Sequence, residues 1–190
     1  MKIALFGGTF NPIHNGHLFI ANQALRHVDQ VWFIPNKQNP LKNTEAVSLG
    51  IRCEMIRLAI NDEHRFRLST IEGQLPEPSY TVDLVKQLRI GLQTEELYLL
   101  LGDDCLNEFY LWKDYKEILK ECRLIVHPRL LVNVHSHEDY DEIKLDAPII
   151  SISSTEIRDM VFKDLDVKYL VPDKVKKYIK HEKLYKKLES

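Results

Sequence analysis

KIALFGGTFNPIHNGH, residues 2–17, decides the fold. KIALF (2–6) is a short apolar run of the kind that forms a buried strand. Gly7 and Gly8 end it, Pro12 follows, and His14 and His17 sit where a helix must begin. Beyond them Leu18, Ala21, Leu25 and Val28 recur at i, i+3, i+7 and i+10, one face of a helix. Strand, glycine loop and helix therefore follow one another within the first 30 residues, and the polar chemistry lies at the strand's C-terminal end.

The same unit repeats outward. VWFIP (31–35) reads as a second strand, and Ser48 caps a helix with Ile51, Met55, Leu58 and Ala59 on one face. FRLST (66–70) reads as a third strand, followed by a helix over 80–90 with Leu84, Val85 and Leu88 inward. YLLL (98–101) is a strongly apolar strand ending at Gly102. A helical stretch over roughly 104–120 and a strand at LIV (124–126) come next. Residues 128–148 read as irregular and PIISI (148–152) as the last strand. Ser153 and Glu156 form a capping box, and Pro172 suits the first turn of a terminal helix carrying Val175, Tyr178 and Ile179. Such alternation predicts an α/β fold, a doubly wound and mostly parallel sheet with ligands at the strands' C-terminal ends. One domain spanning 1–190 is expected, with a helical C-terminal part about 153–190.

Composition narrows the class. Lys+Arg 26 against Asp+Glu 28 gives −2, so overall charge does not point to nucleic acid or a membrane surface. No apolar run is long enough to span a bilayer, and the N-terminus lacks a signal-peptide pattern. Cys53, Cys105 and Cys122 are odd in number and widely spaced, as expected of reduced thiols in the cytoplasm. Eight lysines in 168–187 fit a solvated helix exterior better than an RNA-binding face.

The glycine–histidine loop admits a phosphate cradle, a metal site or a plain tight turn. It is neither GxGxxG nor GxxxxGK[ST], and it lacks HExxH or a fixed third metal ligand. Gly7 and Gly8 allow close backbone approach, and their N–H groups with the helix start can form an anion-binding concavity. His14 and His17 can reach that concavity, with Gly16 leaving a flat surface for a base.

GGTFNPIHNGH resembles the N-terminal signature of nucleotidyltransferases that carry HxGH, and its flanks resemble bacterial nicotinate-nucleotide adenylyltransferase. ISSTEIR (152–158) is similar to the superfamily's second signature, and VPDKVKKYIKHEKLY (171–185) to the family's ending. The likeness covers nearly the whole chain. It implies a Rossmann-like nucleotidyltransferase fold that joins ATP to nicotinate mononucleotide, giving nicotinate adenine dinucleotide and pyrophosphate. Mg²⁺ would come with ATP, held mainly by substrate phosphates, with no metal site of the protein's own.

By this resemblance the catalytic residues are His14, His17 and Arg158, with His17 the more essential. Gly7, Gly8, Thr9, Phe10, His14, Gly16, His17, Lys42, Gly102, Asp104, Ser154, Thr155 and Arg158 would bind ATP. Thr9, Lys42, Tyr80, Thr81 and Trp112 would bind the mononucleotide. Asp104 in the family's G-x-D would accept ribose hydroxyls, Trp112 would stack on the pyridine ring, and Arg52 would assist at the phosphates. Tyr80 and Thr81 start a helix, whose free N–H groups favour a carboxylate and so an acid over an amide.

Asn11 stands where many relatives carry Asp, and 127–146 matches the family least. His135 and His137 beside Glu138 and Asp139 are read as a charged loop rather than a metal cluster. A hydrophobic edge strand or the 127–146 stretch is a candidate surface for a homo-oligomer. Residues 36–47 have a composition suited to a lid. The competing readings are a pantetheine-phosphate adenylyltransferase, a glycerol-phosphate cytidylyltransferase, an aminoacyl-tRNA synthetase core, a nucleotide-binding module without turnover, and a metal hydrolase using His135 and His137. The SYT element (79–81), the Gly102–Trp112 spacing and the ending speak against the first.

Overall fold

The computed structural model describes residues 1–37, 47–129 and 140–186. Six strands, β1 (Lys2–Gly8), β2 (Gln30–Pro35), β3 (Phe66–Leu68), β4 (Glu96–Gly102), β5 (Cys122–His127) and β6 (Glu142–Lys144), form one sheet in the order β3-β2-β1-β4-β5-β6. Every pairing is parallel. The helices are α1 (Asn15–Ala24), α2 (Leu49–Ile60), α3 (Thr81–Gly91), α4 (Asp103–Asn107), α5 (Tyr115–Glu121), α6 (Ser154–Phe162) and α7 (Asp173–His181). Strand order reverses between β1 and β4, so the crevice for ligands opens beyond Gly8 and Gly102.

Alternation along the strands builds two cores. Ala4, Phe6, Tyr98 and Leu100 face a cluster containing Met55 and Ile56 of α2, Ile157 of α6, and Val175 and Ile179 of α7. Ile3, Leu5, Leu97, Leu99 and Leu101 face the other, with Val82, Val85 and Leu88 of α3 and Ile118 of α5. Central strands buried on both faces read as unbroken apolar runs, hence KIALF and LYLLL (97–101).

Two expected elements differ. PIISI is not a strand; the sixth strand is EIK (142–144), which pairs with Leu124–Val126 inside the stretch expected to be irregular. Residues 145–153 run without regular structure; Ile149 is exposed, and the other two isoleucines of the stretch pack without a ladder. Ile150 lies against Gly16, and Ile152 packs on the first core. Apolar β-branched residues pack equally well with or without a ladder. The single helix expected over 104–120 is broken into α4, a 3₁₀ turn at Phe109–Leu111, and α5. Trp112 is extended, and Asp114 takes a left-handed backbone (φ 49°) that aspartate tolerates better than most residues. Pro172 is the N-cap of α7, one position before the helix.

Candidate active site

The two histidines cap α1 together. His14 is the N-cap in extended conformation, and its Nδ1 accepts the backbone N–H of His17 at 3.3 Å. His17 Nδ1 in turn accepts the backbone N–H of His14 at 3.2 Å. This is a capping box in which imidazoles stand where a hydroxyl and a carboxylate usually do. With both Nδ1 atoms accepting, the hydrogen-bond pattern assigns the proton of each neutral ring to Nε2. The rings stack 3.6 Å apart at 22°, so both cannot carry charge cheaply. Desolvation, then the Arg129 charge, lowers the pKa of His14 to about 4. Desolvation, His14, Arg129 and His127 hold His17 well below its usual value. The site thus presents two neutral Nε2–H donors at neutral pH.

The glycines serve different ends. A Cβ on Gly7 would meet no atom within 4 Å, leaving open space at the crevice. A Cβ on Gly8 would stand 3.1 Å from the Phe10 ring. Phe10 takes φ 49°, a costly conformation for a bulky residue, and its buried ring meets His17 edge-on at 4.9 Å. Gly16 is buried, and a Cβ there would stand 3.0 Å from His14 Nδ1. Its missing side chain makes room for the imidazole.

Arg158 approaches the same loop from α6. Its Nη1 donates to the Asn11 carbonyl at 2.9 Å and its Nη2 to Thr155 Oγ1 at 3.2 Å. Ser153 and Glu156 cap α6 reciprocally, as expected. Ser154 Oγ donates to the Pro12 carbonyl at 2.8 Å, tying the second signature to the first. Arg52 is fully buried, and its donors go to carbonyls: Thr9 at 2.9 Å, Asn36 at 2.7 Å, and Lys37 and Val47 at 3.1 Å. It is a tie between the loop and the exit of β2, with its guanidinium spent on backbone. Lys42, His135 and His137 lie outside the described residues, as does most of 36–47.

Across the switch point, Gly102 is the N-cap of α4 and faces Asp104. A Cβ on Gly102 would fall 2.3 Å from Asp104 Oδ1, which is buried and has no hydrogen-bond partner by distance and angle among the described residues. Asp104 Oδ2 accepts from Arg129 Nη1 at 3.1 Å. Tyr80 is the N-cap of α3 and its side chain makes no capping bond to the first-turn N–H groups. Lys113 Nζ stands 4.4 Å over the Tyr80 ring and 3.4 Å from Asp83 Oδ2, joining α3 to the segment carrying Trp112. Trp112 is half-buried against Phe109, ring centroids 5.2 Å apart.

Residues not picked out from the sequence complete the loop's support. Tyr185 Oη donates to Asn11 Oδ1 at 2.7 Å, and Asn15 donates from its side chain to Tyr169 O (2.6 Å) and from its backbone to Leu170 O (2.8 Å). His127 ends β5 and Arg129 sits just past it; the rule that chemistry gathers at strand C-termini would have pointed to HPR (127–129). Among the described residues no three His, Cys, Asp or Glu gather to hold a metal, and no helix is long and apolar enough to cross a membrane.

A parallel sheet whose switch point carries imidazole, guanidinium and amide donors defines a nucleotide-handling transferase, and the cytidylyltransferase-like family model matches residues 5–160. One curated relative, "Probable nicotinate-nucleotide adenylyltransferase" of Flavobacterium psychrophilum, is 39% identical over 98% of this chain and 100% of its own. Another of that description, from Bacillus licheniformis, is 36% identical over 97% and 98%. The chain belongs to the nicotinate-nucleotide adenylyltransferase family. The Plasmodium falciparum nicotinic acid mononucleotide adenylyltransferase solved with NaAD superposes with a TM-score of 0.78 over 97% of both chains, at 20% identity.

Proposed function

We infer that the protein transfers the adenylyl group of ATP to nicotinate mononucleotide, giving nicotinate adenine dinucleotide and pyrophosphate in NAD biosynthesis. The mononucleotide phosphate is already ionised, so a general base is unnecessary; the protein must align two polyanions and stabilise charge at the α-phosphorus. Nε2–H of His14 and of His17 would donate to phosphate oxygens there. Neutrality in the empty site avoids two adjoining imidazoliums, and an arriving triphosphate favours protonation where the extra charge appears. Arg158, with the first-turn N–H groups of α6 at Ser154 and Thr155, would hold the departing pyrophosphate. Gly7, Gly8, Thr9 and Phe10 would admit the phosphates against bare backbone.

The observation that carries this reading is the meeting of the imidazole pair and Arg158 on one stretch of seven residues, 11–17, in a family member. The donors gathered there are N–H groups, which do not ligate Mg²⁺. Mg²⁺ would enter with ATP, held mainly by the substrate phosphates. Tyr80 and Thr81 would offer the free α3 N-terminus to the nicotinate carboxylate, beside Trp112 as a stacking wall and Asp104 as ribose acceptor. Three free cysteines suit a reducing cytoplasm.

Purified protein with Mg–ATP should release pyrophosphate with nicotinate mononucleotide, much less with nicotinamide mononucleotide, and none with phosphopantetheine. Pyrophosphate with phosphopantetheine alone would move the assignment to the pantetheine-phosphate enzymes. No pyrophosphate with any acceptor would leave a binding module.

A further inference from the structure

HPR (127–129) opens the stretch least like the family, yet it stands at the site. His127 is in register with Gly102, so Pro128 and Arg129 project beyond the switch point beside β4. The Arg129 stem passes where Gly102 has no side chain; its Cδ lies 3.4 Å from a Cβ built there. Its guanidinium makes one hydrogen bond among the described residues, to Asp104 Oδ2 at 3.1 Å, and the side chain remains 55% exposed. Among the described residues the Asp104 carboxylate is half used, with Oδ1 buried and no geometric hydrogen bond to it. The charge of Arg129 reaches His14, His17 and His127 and disfavours their protonated forms. A cation this near two phosphate donors, with most of its five N–H groups uncommitted among these residues, is poorly explained as a structural ion pair. Exposed pairs of that kind contribute little to stability.

We propose that Arg129 is a further phosphate-binding residue, held at Asp104 in the empty site and transferred to the ATP polyphosphate on loading, which frees Asp104 for the ribose hydroxyls. The inference rests on the adenylyltransferase reading. A guanidinium grips phosphate through parallel charge-assisted bonds, stronger than its single contact with a half-exposed carboxylate. Neutralising Arg129 with phosphate also relieves its pressure against protonation of the imidazole pair.

Calorimetric titration with tripolyphosphate, which has neither ribose nor base, isolates the role. Arg129→Gln should weaken its binding roughly 10- to 100-fold, as expected for loss of a charged hydrogen-bonding group. Arg129→Lys should fall between, and Asp104→Asn should tighten binding by releasing the guanidinium. Arg123→Gln, near the other end of β5 and paired with Asp141, should change nothing. Wild-type affinity in Arg129→Gln would overturn the proposal. So would equal losses in Arg129→Gln and Asp104→Asn with no further loss in the double variant, because Arg129 would then act only through Asp104. Wild-type turnover of ATP with nicotinate mononucleotide is measured in parallel. Its absence would overturn the functional reading, whereas undiminished tripolyphosphate binding in Arg129→Gln overturns only this inference.

Discussion

At the scale of single residues, the site depends on where two protons sit. Nδ1 of His14 and of His17 each accept a backbone N–H, so a second proton on either ring sets a donor against a donor. Because the folded pKa of His14 is depressed to about 4 from 6.5, the unfolded chain binds more protons between those values. Stability is therefore fully present above pH 6.5 and drains as pH falls towards 4. Wild type should lose about 2 kcal/mol more than His14→Gln between pH 7.5 and 5 in urea titrations, given about 1.36 kcal/mol per pKa unit. Parallel pH profiles would contradict the buried neutral ring. His17→Ala should lower kcat at least about 100-fold, the scale of one donor removed from a charge-stabilising site, while the far-ultraviolet spectrum stays native. Near-normal kcat in that variant would remove His17 from the chemistry. The spacing of these residues was legible in the sequence. Their reciprocal cap was less so, although His-x-x-His has the same N-cap-to-N3 spacing as Ser153-x-x-Glu156, which was read correctly.

At the scale of elements, backbone partners were the hidden part. Arg52 reads as a charged residue one turn into a helix, and nothing in the sequence says that its acceptors are four main-chain carbonyls, since a carbonyl has no residue identity. It fastens α2 to Thr9 on the phosphate loop and to the end of β2. Arg52→Met preserves much of the volume but leaves those carbonyls without their donor. It should cost roughly 3 kcal/mol by chemical denaturation and raise KM for ATP, because Thr9 loses its anchor. A loss below about 1 kcal/mol would mean that water replaces the guanidinium. The misplaced last strand has a related cause. PIISI has strand composition, but Ile150 goes to Gly16 and Ile152 to the first core, whereas the mostly polar EIK pairs at the sheet edge. Edge strands exposed on one side do not need apolar residues, so the hydrophobic pattern does not mark them.

At the scale of the whole molecule, the alternating apolar runs made the parallel sheet legible, because strands buried on both faces announce themselves. What they did not announce is how the two ends of the chain close on the site. Tyr185 reaches Asn11 across 174 residues, and Leu170 and Ser154 hold Asn15 and Pro12. The phosphate loop is thus clasped between β1 and the helical C-terminal part, with Val175, Ile179 and Leu184 seated in the same core as Phe6 and Phe10. Desolvation raises the Tyr185 pKa, which keeps its hydroxyl a donor across the ordinary pH range. Tyr185→Phe leaves the buried Asn11 Oδ1 without that donor and should cost about 1–2 kcal/mol. Its consequence should be local. Amide exchange over 9–17 should quicken while Leu97–Leu101 in β4 stays protected, since the central strand opens only on global unfolding. The matching kinetic change is a lower kcat, because the imidazoles and Arg158 would share a less fixed loop. If exchange instead rose uniformly in β4 and the loop, Tyr185 would stabilise the fold as a whole, and the clasp would have no particular hold on the site.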